Sequence, residues 1–279
     1  MTAYERTHGG WTAPTGLPGT LGLSPRFEEV IAGLQQALNT AGAVPSPGPV
    51  WYPPVVAQEL VERAEYAESF PHLLGTVHAL AEGSAPAEGP SSSGVVLAPA
   101  ACYSVYPSFA DRELTESVHA DVAGYCYRHE ATTELGRFRS FRMREFVMVG
   151  DADATVDWRD EWIARCEALF SRLGVKVDVQ SATDPFFGPG GRFMRASQLE
   201  QSLKYEFVAR LSDDDRGTAI ASANCHKDHL GARFGITYAG RGTAHSACTA
   251  FGLERVTLAL IHAHGDDLAN WPSLTEAAE

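Results

Sequence analysis

No apolar run in this chain of 279 residues approaches the roughly 20 that a membrane helix needs. Nor does a basic segment followed by an apolar stretch open it, so neither a membrane span nor a secretory leader is expected and the predicted compartment is the cytoplasm. Cationic charge is scarce: 22 Lys and Arg against 35 Asp and Glu give a net charge of -13, which argues against nonspecific attraction to polyphosphate. Cysteine is sparse as well. Cys102, Cys126, Cys166, Cys225 and Cys248 are odd in number and widely spaced, which fits reduced thiols, some of them available to a metal, rather than a disulfide framework. Internal repeats and a glycine-rich phosphate loop are both missing, so any nucleotide must be held by side chains instead.

What is present is ordinary for one globular domain, with 44% hydrophobic and 20% charged residues. Residues 1–22 are rich in Gly, Pro and Thr, residues 43–49 are again Gly/Pro-rich, and residues 26–40 between them carry helical periodicity. Residues 1–50 are therefore expected to form a flexible lead-in with one short helix, and residues 51–279 the folded domain. Inside it, 55–70 reads as helix, 73–80 as strand and 82–94 as an exposed low-complexity loop. Strand patterns recur at 95–99, 123–128, 142–149, 206–211, 218–224 and 234–238. Residues 158–173 form an amphipathic helix, and 248–263 reads as a second helix packed into the core. Many neighbouring strands with few crossover helices predict an α+β fold with a largely antiparallel sheet.

Two distant arginine-bearing segments carry the chemistry. One is Tyr127-Arg128-His129-Glu130, continuing to Phe141-Arg142-Met143-Arg144-Glu145-Phe146; the other is Phe251-Gly252-Leu253-Glu254-Arg255. An arginine on a strand can hold an α-phosphate, an aromatic ring can support adenine, and a second arginine entering a helix can cover the other face of the base. Together they read as an ATP clamp.

In this order the segments resemble the catalytic core of class II aminoacyl-tRNA synthetases, specifically the seryl type. Residues 127–130 resemble the opening of that family's motif 2, residues 142–146 its close, and Gly252-Leu253-Glu254-Arg255 its motif 3; Leu203-Lys204-Tyr205-Glu206 and Ala223-Asn224 fall in the expected order. A subgroup that lost tRNA charging, the amino acid:carrier-protein ligases, is more similar still. Its segments look like Ser69-Phe70-Pro71-His72-Leu73-Leu74-Gly75-Thr76-Val77, residues 137–142, Asp184-Pro185-Phe186-Phe187-Gly188 and Ala244-His245-Ser246-Ala247-Cys248. About fifty residues precede the core, too few at about 1.5 Å of helical rise per residue for the long paired-helix arm of a seryl synthetase. The resemblance implies the class II α+β fold, a mostly antiparallel sheet flanked by helices, as the catalytic domain over residues 51–279. It also implies a homodimer paired through residues 53–80.

By the same resemblance Arg128 and Arg255 are the catalytic residues. Arg128 is implied to bind the α-phosphate and the substrate carboxylate, and Arg255 to cover adenine and reach the γ-phosphate. Glu130 is implied to accept from the adenine amino group, Arg142 to hold the triphosphate and Phe146 to stack on adenine. Magnesium is implied with bent ATP, its ligands left open among Glu206, Ser222 and Asn224. Cys102, Glu145 and Cys248 match the zinc set of the carrier-protein ligases, leaving one position of a tetrahedral zinc open to the neutral α-amino group of the substrate. Cys126, Cys166 and Cys225 are read as packing residues, and His226, His229 and His245 are left out of the metal set.

The implied reaction is ATP-dependent activation of a small amino acid, of the glycine or alanine class, as its adenylate. Transfer to the phosphopantetheine thiol of a carrier protein follows. Arg137, Arg139, Arg144, Arg192 and Arg195 are a candidate basic rim for an acidic carrier helix, and no tRNA is expected as a partner. Two alternatives stay open on the sequence: a stand-alone aminoacyl-tRNA synthetase, against which the acidic charge speaks, and a noncatalytic paralogue that binds nucleotide or carrier.

Overall fold

The computed structural model describes residues 10–42, 48–80, 89–130 and 134–274. A hairpin of β1 (Thr12–Pro14) and β2 (Leu21–Leu23) runs into α1 (Pro25–Ala41). Ser24 caps that helix by accepting from the Phe27 N–H, and Pro25 supplies a φ already suited to the first turn. Next come β3 (Val50–Tyr52), β4 (Val55–Ala57), α2 (Gln58–Arg63), α3 (Tyr66–Ser69), β5 (Thr76–Ala79) and β6 (Ser91–Leu97). A 3-10 helix, Cys102–Phe109, and β7 (Glu113–Leu114) lead to the long strands β8 (Val118–Tyr127) and β9 (Ser140–Gly150). The rest of the chain is α4 (Ala152–Arg172), β10 (Asp178–Ser181), α5 (Gly191–Glu200), β11 (Lys204–Ala209), β12 (Thr218–Lys227), α6 (His229–Phe234), β13 (Thr237–Tyr238), β14 (His245–Gly252) and α7 (Leu253–His264).

Seven strands form the central sheet in the order β10-β11-β12-β14-β9-β8-β3, antiparallel except for the β3–β8 pair at one edge. The expected α+β class is therefore the observed one. Because successive side chains alternate between faces, each strand divides its residues between two environments. Phe146 and Met148 of β9, Phe207 of β11, Ala223 of β12, and Ala247 and Phe251 of β14 enter a core shared with α1, α4 and α7. The Phe146 ring stacks on Trp162 at 4.4 Å at the centre of that core. The opposite face carries the candidate site, with the 3-10 helix and α6 packed beside it.

Several expectations change. Helix α1 belongs to the core rather than to a flexible lead-in: Phe27, Val30, Ile31, Leu34, Ala37 and Leu38 are buried at helical spacing, and Trp11 ahead of it is fully buried. The helix expected over 55–70 is interrupted, because Val55–Ala57 pairs with β6 and Glu65, at φ 56°, breaks the chain direction between α2 and α3. Of the expected loop 82–94, residues 82–88 lie outside the described residues, and Ser91 onward is strand. Residues 234–238 end a helix and only then form β13. The expected helix 248–263 is a strand as far as Gly252 and a helix only from Leu253, so Cys248 sits on the sheet.

Candidate active site

Cross-strand register assembles the site from residues far apart in sequence. Cys248 of β14 lies opposite Asn224 of β12, which in turn lies opposite Lys204 of β11. One step along, Glu145 of β9 lies opposite Ala250, Ala250 opposite Ser222, and Ser222 opposite Glu206. A further step pairs Met143 with Gly252. All of these side chains share the face away from the large core.

An open cleft, with room for water-sized groups of about 120 Å³, lies over the Met143 and Ala250 end of these rows. Arg128, Glu130, Arg137, Phe141, Lys204, Glu206 and Arg255 are among its lining residues. Arg128 directly follows β8, its guanidinium 5.9 Å from the Phe141 ring centroid, and its Nε is buried without a hydrogen-bond partner among the described residues. Arg255 stands in the first turn of α7, where backbone N–H groups and the helix dipole favour an anion. It donates to the Gly136 and Ala219 carbonyls at 2.8 and 2.9 Å, and burial together with the nearby charges of Arg128 and Arg137 pushes its pKa down to about 10. Three guanidiniums thus converge on one cleft. Glu130, 3.8 Å from Arg137, and Glu206, 3.1 Å from Lys204, supply the acidic groups of the wall.

The predicted metal donors meet beside this cleft. Donor atoms of Cys102, Glu145 and Cys248 all lie within 4.8 Å of one another, and all three residues are buried. Zinc bonds of about 2.0–2.3 Å give tetrahedral edges of roughly 3.3–3.8 Å, so only small adjustments would close the set around an ion. Glu145 is held by the Ala101 N–H at 2.9 Å, and burial beside Cys248 pushes its carboxyl up to about 7. The Cys102 hydrogen bond to Cys248, with burial and the adjacent acids, raises the Cys102 thiol, and the same hydrogen bond, with His226 and Asn224, lowers Cys248. Three acidic groups this close cannot all ionise without a cation, and two sulfurs with one carboxylate suit zinc.

Two predicted nucleotide residues lie elsewhere. Phe146 is on the opposite face of β9, enclosed by Trp162 and Phe251, because five residues separate it from Phe141 and an odd spacing changes face. Phe141 and Phe138 are the rings lining the cleft, and Phe141 is the one on the Glu145 face of β9. Arg142 also faces the core side, bound to Glu254 through Nε at 2.8 Å and to both carboxylate oxygens of Glu28 at 2.8 and 2.9 Å. Arg144, expected on a basic rim, is fully buried and paired with Asp121 and Asn39. Phe141→Ala is expected to raise the ATP KM about tenfold with little loss of stability. Phe146→Ala should instead cost about 3–5 kcal/mol of stability with no selective effect on ATP binding. Thermal melts and steady-state kinetics on the two variants separate these roles.

Other contacts were not legible in sequence. Lys204 bridges Asp184 at 2.5 Å and Glu206 at 3.1 Å, and Gln198 of α5 donates to Asp184 at 2.8 Å, tying that helix to the cleft. Asn224, a candidate magnesium ligand, donates to Cys248 Sγ at 3.4 Å, and His226 reaches the same sulfur. Only the strand register reveals these neighbours.

The tRNA synthetase class II core domain family (G, H, P, S and T) matches residues 92–264. Amino acid:acyl-carrier-protein ligase 2 of Bradyrhizobium diazoefficiens is 38% identical over 273 residues, which cover 92% of this chain and 81% of that protein. The chain belongs to the amino acid:acyl-carrier-protein ligase family. This family's relation to the synthetases is visible in a type-2 serine–tRNA ligase of Methanococcus aeolicus, 30% identical over 191 residues, or 65% of this chain and 36% of that one. The fold itself is shared with M. kandleri SerRS, solved in complex with A. aeolicus tRNASec. The TM-score is 0.81 at 19% identity over 98% of this chain, which spans 59% of that structure. Among the described residues of this ligase-family chain, no helix is long and apolar enough to cross a membrane.

Proposed function

We propose that this chain uses ATP and magnesium to activate a small amino acid as its adenylate and transfers the acyl group to the phosphopantetheine thiol of a carrier protein. The observation that carries the reading is the adjacency of two subsites of opposite preference on one sheet face. A cationic cleft suits phosphates and a carboxylate, and a buried Cys/Glu/Cys set lies one row away.

In this reading Arg128 holds the substrate carboxylate against the α-phosphorus. The carboxylate oxygen forms the new bond, pyrophosphate leaves, and Arg128 and Arg255 stabilise the charge that builds on phosphoryl oxygens. Phe141 supports adenine and Glu130 accepts from its amino group. Glu206 and Ser222, both lining the cleft, are the oxygen donors available to magnesium. Zinc held by Cys102, Glu145 and Cys248 would supply a position for the neutral α-amino group, selecting amino acids over acids that lack one. The carrier's thiolate then attacks the acyl carbon, and AMP leaves with the electron pair of the broken bond. Arg192 and Arg195 of α5, with the exposed Phe193 and Met194, are the docking residues in this scheme, and the chain works as a homodimer.

Zinc-loaded protein is expected to exchange labelled pyrophosphate into ATP with glycine or alanine, to load that amino acid onto a phosphopantetheinylated carrier, and to sediment at twice its 30.0 kDa chain mass. Exchange without carrier loading, coupled to charging of tRNA, would move the reading to a stand-alone synthetase. Tight ATP binding without exchange for any amino acid would leave a noncatalytic paralogue.

A further inference from the structure

The two sulfurs of the Cys/Glu/Cys set have different surroundings. Cys248 Sγ faces two nitrogens, the Asn224 Nδ2 donor at 3.4 Å and His226 Nε2 at 3.5 Å. Cys102 Sγ faces no N–H or hydroxyl donor among the described residues. The His226 ring is fixed from its other side: Nδ1 is 3.1 Å from Ser246 Oγ, and the Tyr106 hydroxyl donates to that same oxygen at 3.1 Å. The Tyr106 hydroxyl also lies 3.5 Å from Nδ1, and because a metal-bound Cys248 thiolate can only accept, one proton order follows. Tyr106 O–H donates to Ser246, Ser246 O–H donates to Nδ1, and Nε2–H is left pointing at sulfur.

The chain also joins the elements that carry the thiols. Tyr106 stands on the same 3-10 helix as Cys102, Ser246 on the same strand as Cys248, and His226 on the neighbouring strand β12. Tyr106 and Ser246 are fully buried, and the Tyr106 ring is clamped by Phe234 at 5.4 Å. The relay therefore fixes the spacing between the two sulfur-bearing backbones as well as the orientation of one imidazole. A donor to a thiolate withdraws electron density from it, so the arrangement makes Cys248 the weaker and Cys102 the stronger electron donor.

We propose that Tyr106, Ser246 and His226 form a positioning relay for the metal donor set, with His226 as an N–H donor to Cys248 rather than a fourth ligand. The inference rests on the zinc reading given above. Partners of this kind are worth 10–100-fold in metal affinity where they have been removed. A glutamine places its amide N–H close to where imidazole Nε2 lies, whereas leucine fills the space without a donor.

The test uses the full chain with Co(II) as a spectroscopic stand-in for zinc, together with chelator competition. Wild type is expected to bind one Co(II) with a sulfur-to-metal charge-transfer band. His226→Leu should shift that band to lower energy and weaken binding about 10–100-fold, His226→Gln should restore most of both, and Ser246→Ala should give a smaller shift in the same direction. Should His226→Leu fail to fold, the Gln and Ser246→Ala variants still decide. Unchanged spectra and affinities in all folded variants would overturn the relay while leaving the zinc reading intact, as would a Gln variant no better than Leu. A wild-type chain that binds no Co(II) or zinc would overturn the zinc reading itself.

Discussion

Arg128→Ala is expected to lower the rate of amino-acid-dependent pyrophosphate exchange by about 10²–10³, the scale of losing one preorganised donor to developing oxyanion charge. The same variant should melt within a few degrees of wild type. Arg128 Nε is buried without a partner among the described residues and the guanidinium adds to the repulsion that depresses Arg255, which offsets the attraction of the neighbouring Asp184 and Glu130 that raises its own pKa. Arg128→Lys should recover little, since an ammonium is a point charge and cannot span a carboxylate and a phosphate oxygen with a planar fork. A loss of less than tenfold for Arg128→Ala would remove this residue from the chemistry.

Metal removal should produce the second large effect, and its size grows with pH. The Glu145 carboxyl, free value 4.5, titrates near 7 when folded without a cation. A group raised on folding contributes stability that is complete below its unfolded pKa and is lost as pH rises through the folded one. The metal-free protein should therefore lose about 3 kcal/mol from this group between pH 4.5 and 8. A bound cation favours the ionised donors and reverses the trend. The Tm gap between zinc-loaded and chelator-treated protein should widen by roughly 5–10 °C from pH 5 to 8, at about 2–4 °C per kcal/mol for a chain of this size. In metal-free Glu145→Gln the fall with pH should flatten. Parallel melting curves for loaded and stripped protein across that range would sink the assignment of these three residues as a cation site.

The fold class was legible because alternation is visible strand by strand: β9 and β12 contain every residue expected for them, and β8 and β11 fall short of the expected ends by one and two residues. Strand β14 was not. Its residues from Cys248 to Phe251 are buried on both faces, and a continuous apolar run flowing into α7 carries no period that separates strand from helix. In the site, residue types were readable and sides were not. Arg142 and Phe146 fall in the expected segment, yet β9 turns both toward the large core, where Glu28, Glu254 and Trp162 receive them. Counting parity from Glu145 along β9 would have selected Phe141 and Met143, because a metal donor and a cleft residue must share a face. No local pattern could have revealed that His226 meets Cys248 or that Lys204 meets Asp184. Those contacts follow from which strands become neighbours.

The two ends of the described chain are fastened to each other. Trp11 Nε1 donates to Asp266 at 2.7 Å, its ring stacks on Trp271 at 6.0 Å, α1 packs against α7, and Glu28 reaches Glu254 through Arg142. During synthesis, then, α1 emerges with its apolar stripe uncovered and must wait for the last elements to be made. At 5–20 residues per second that delay is on the order of ten to fifty seconds. Until α7 is made, the apolar stripe of α1 can find only α4 as a helical partner.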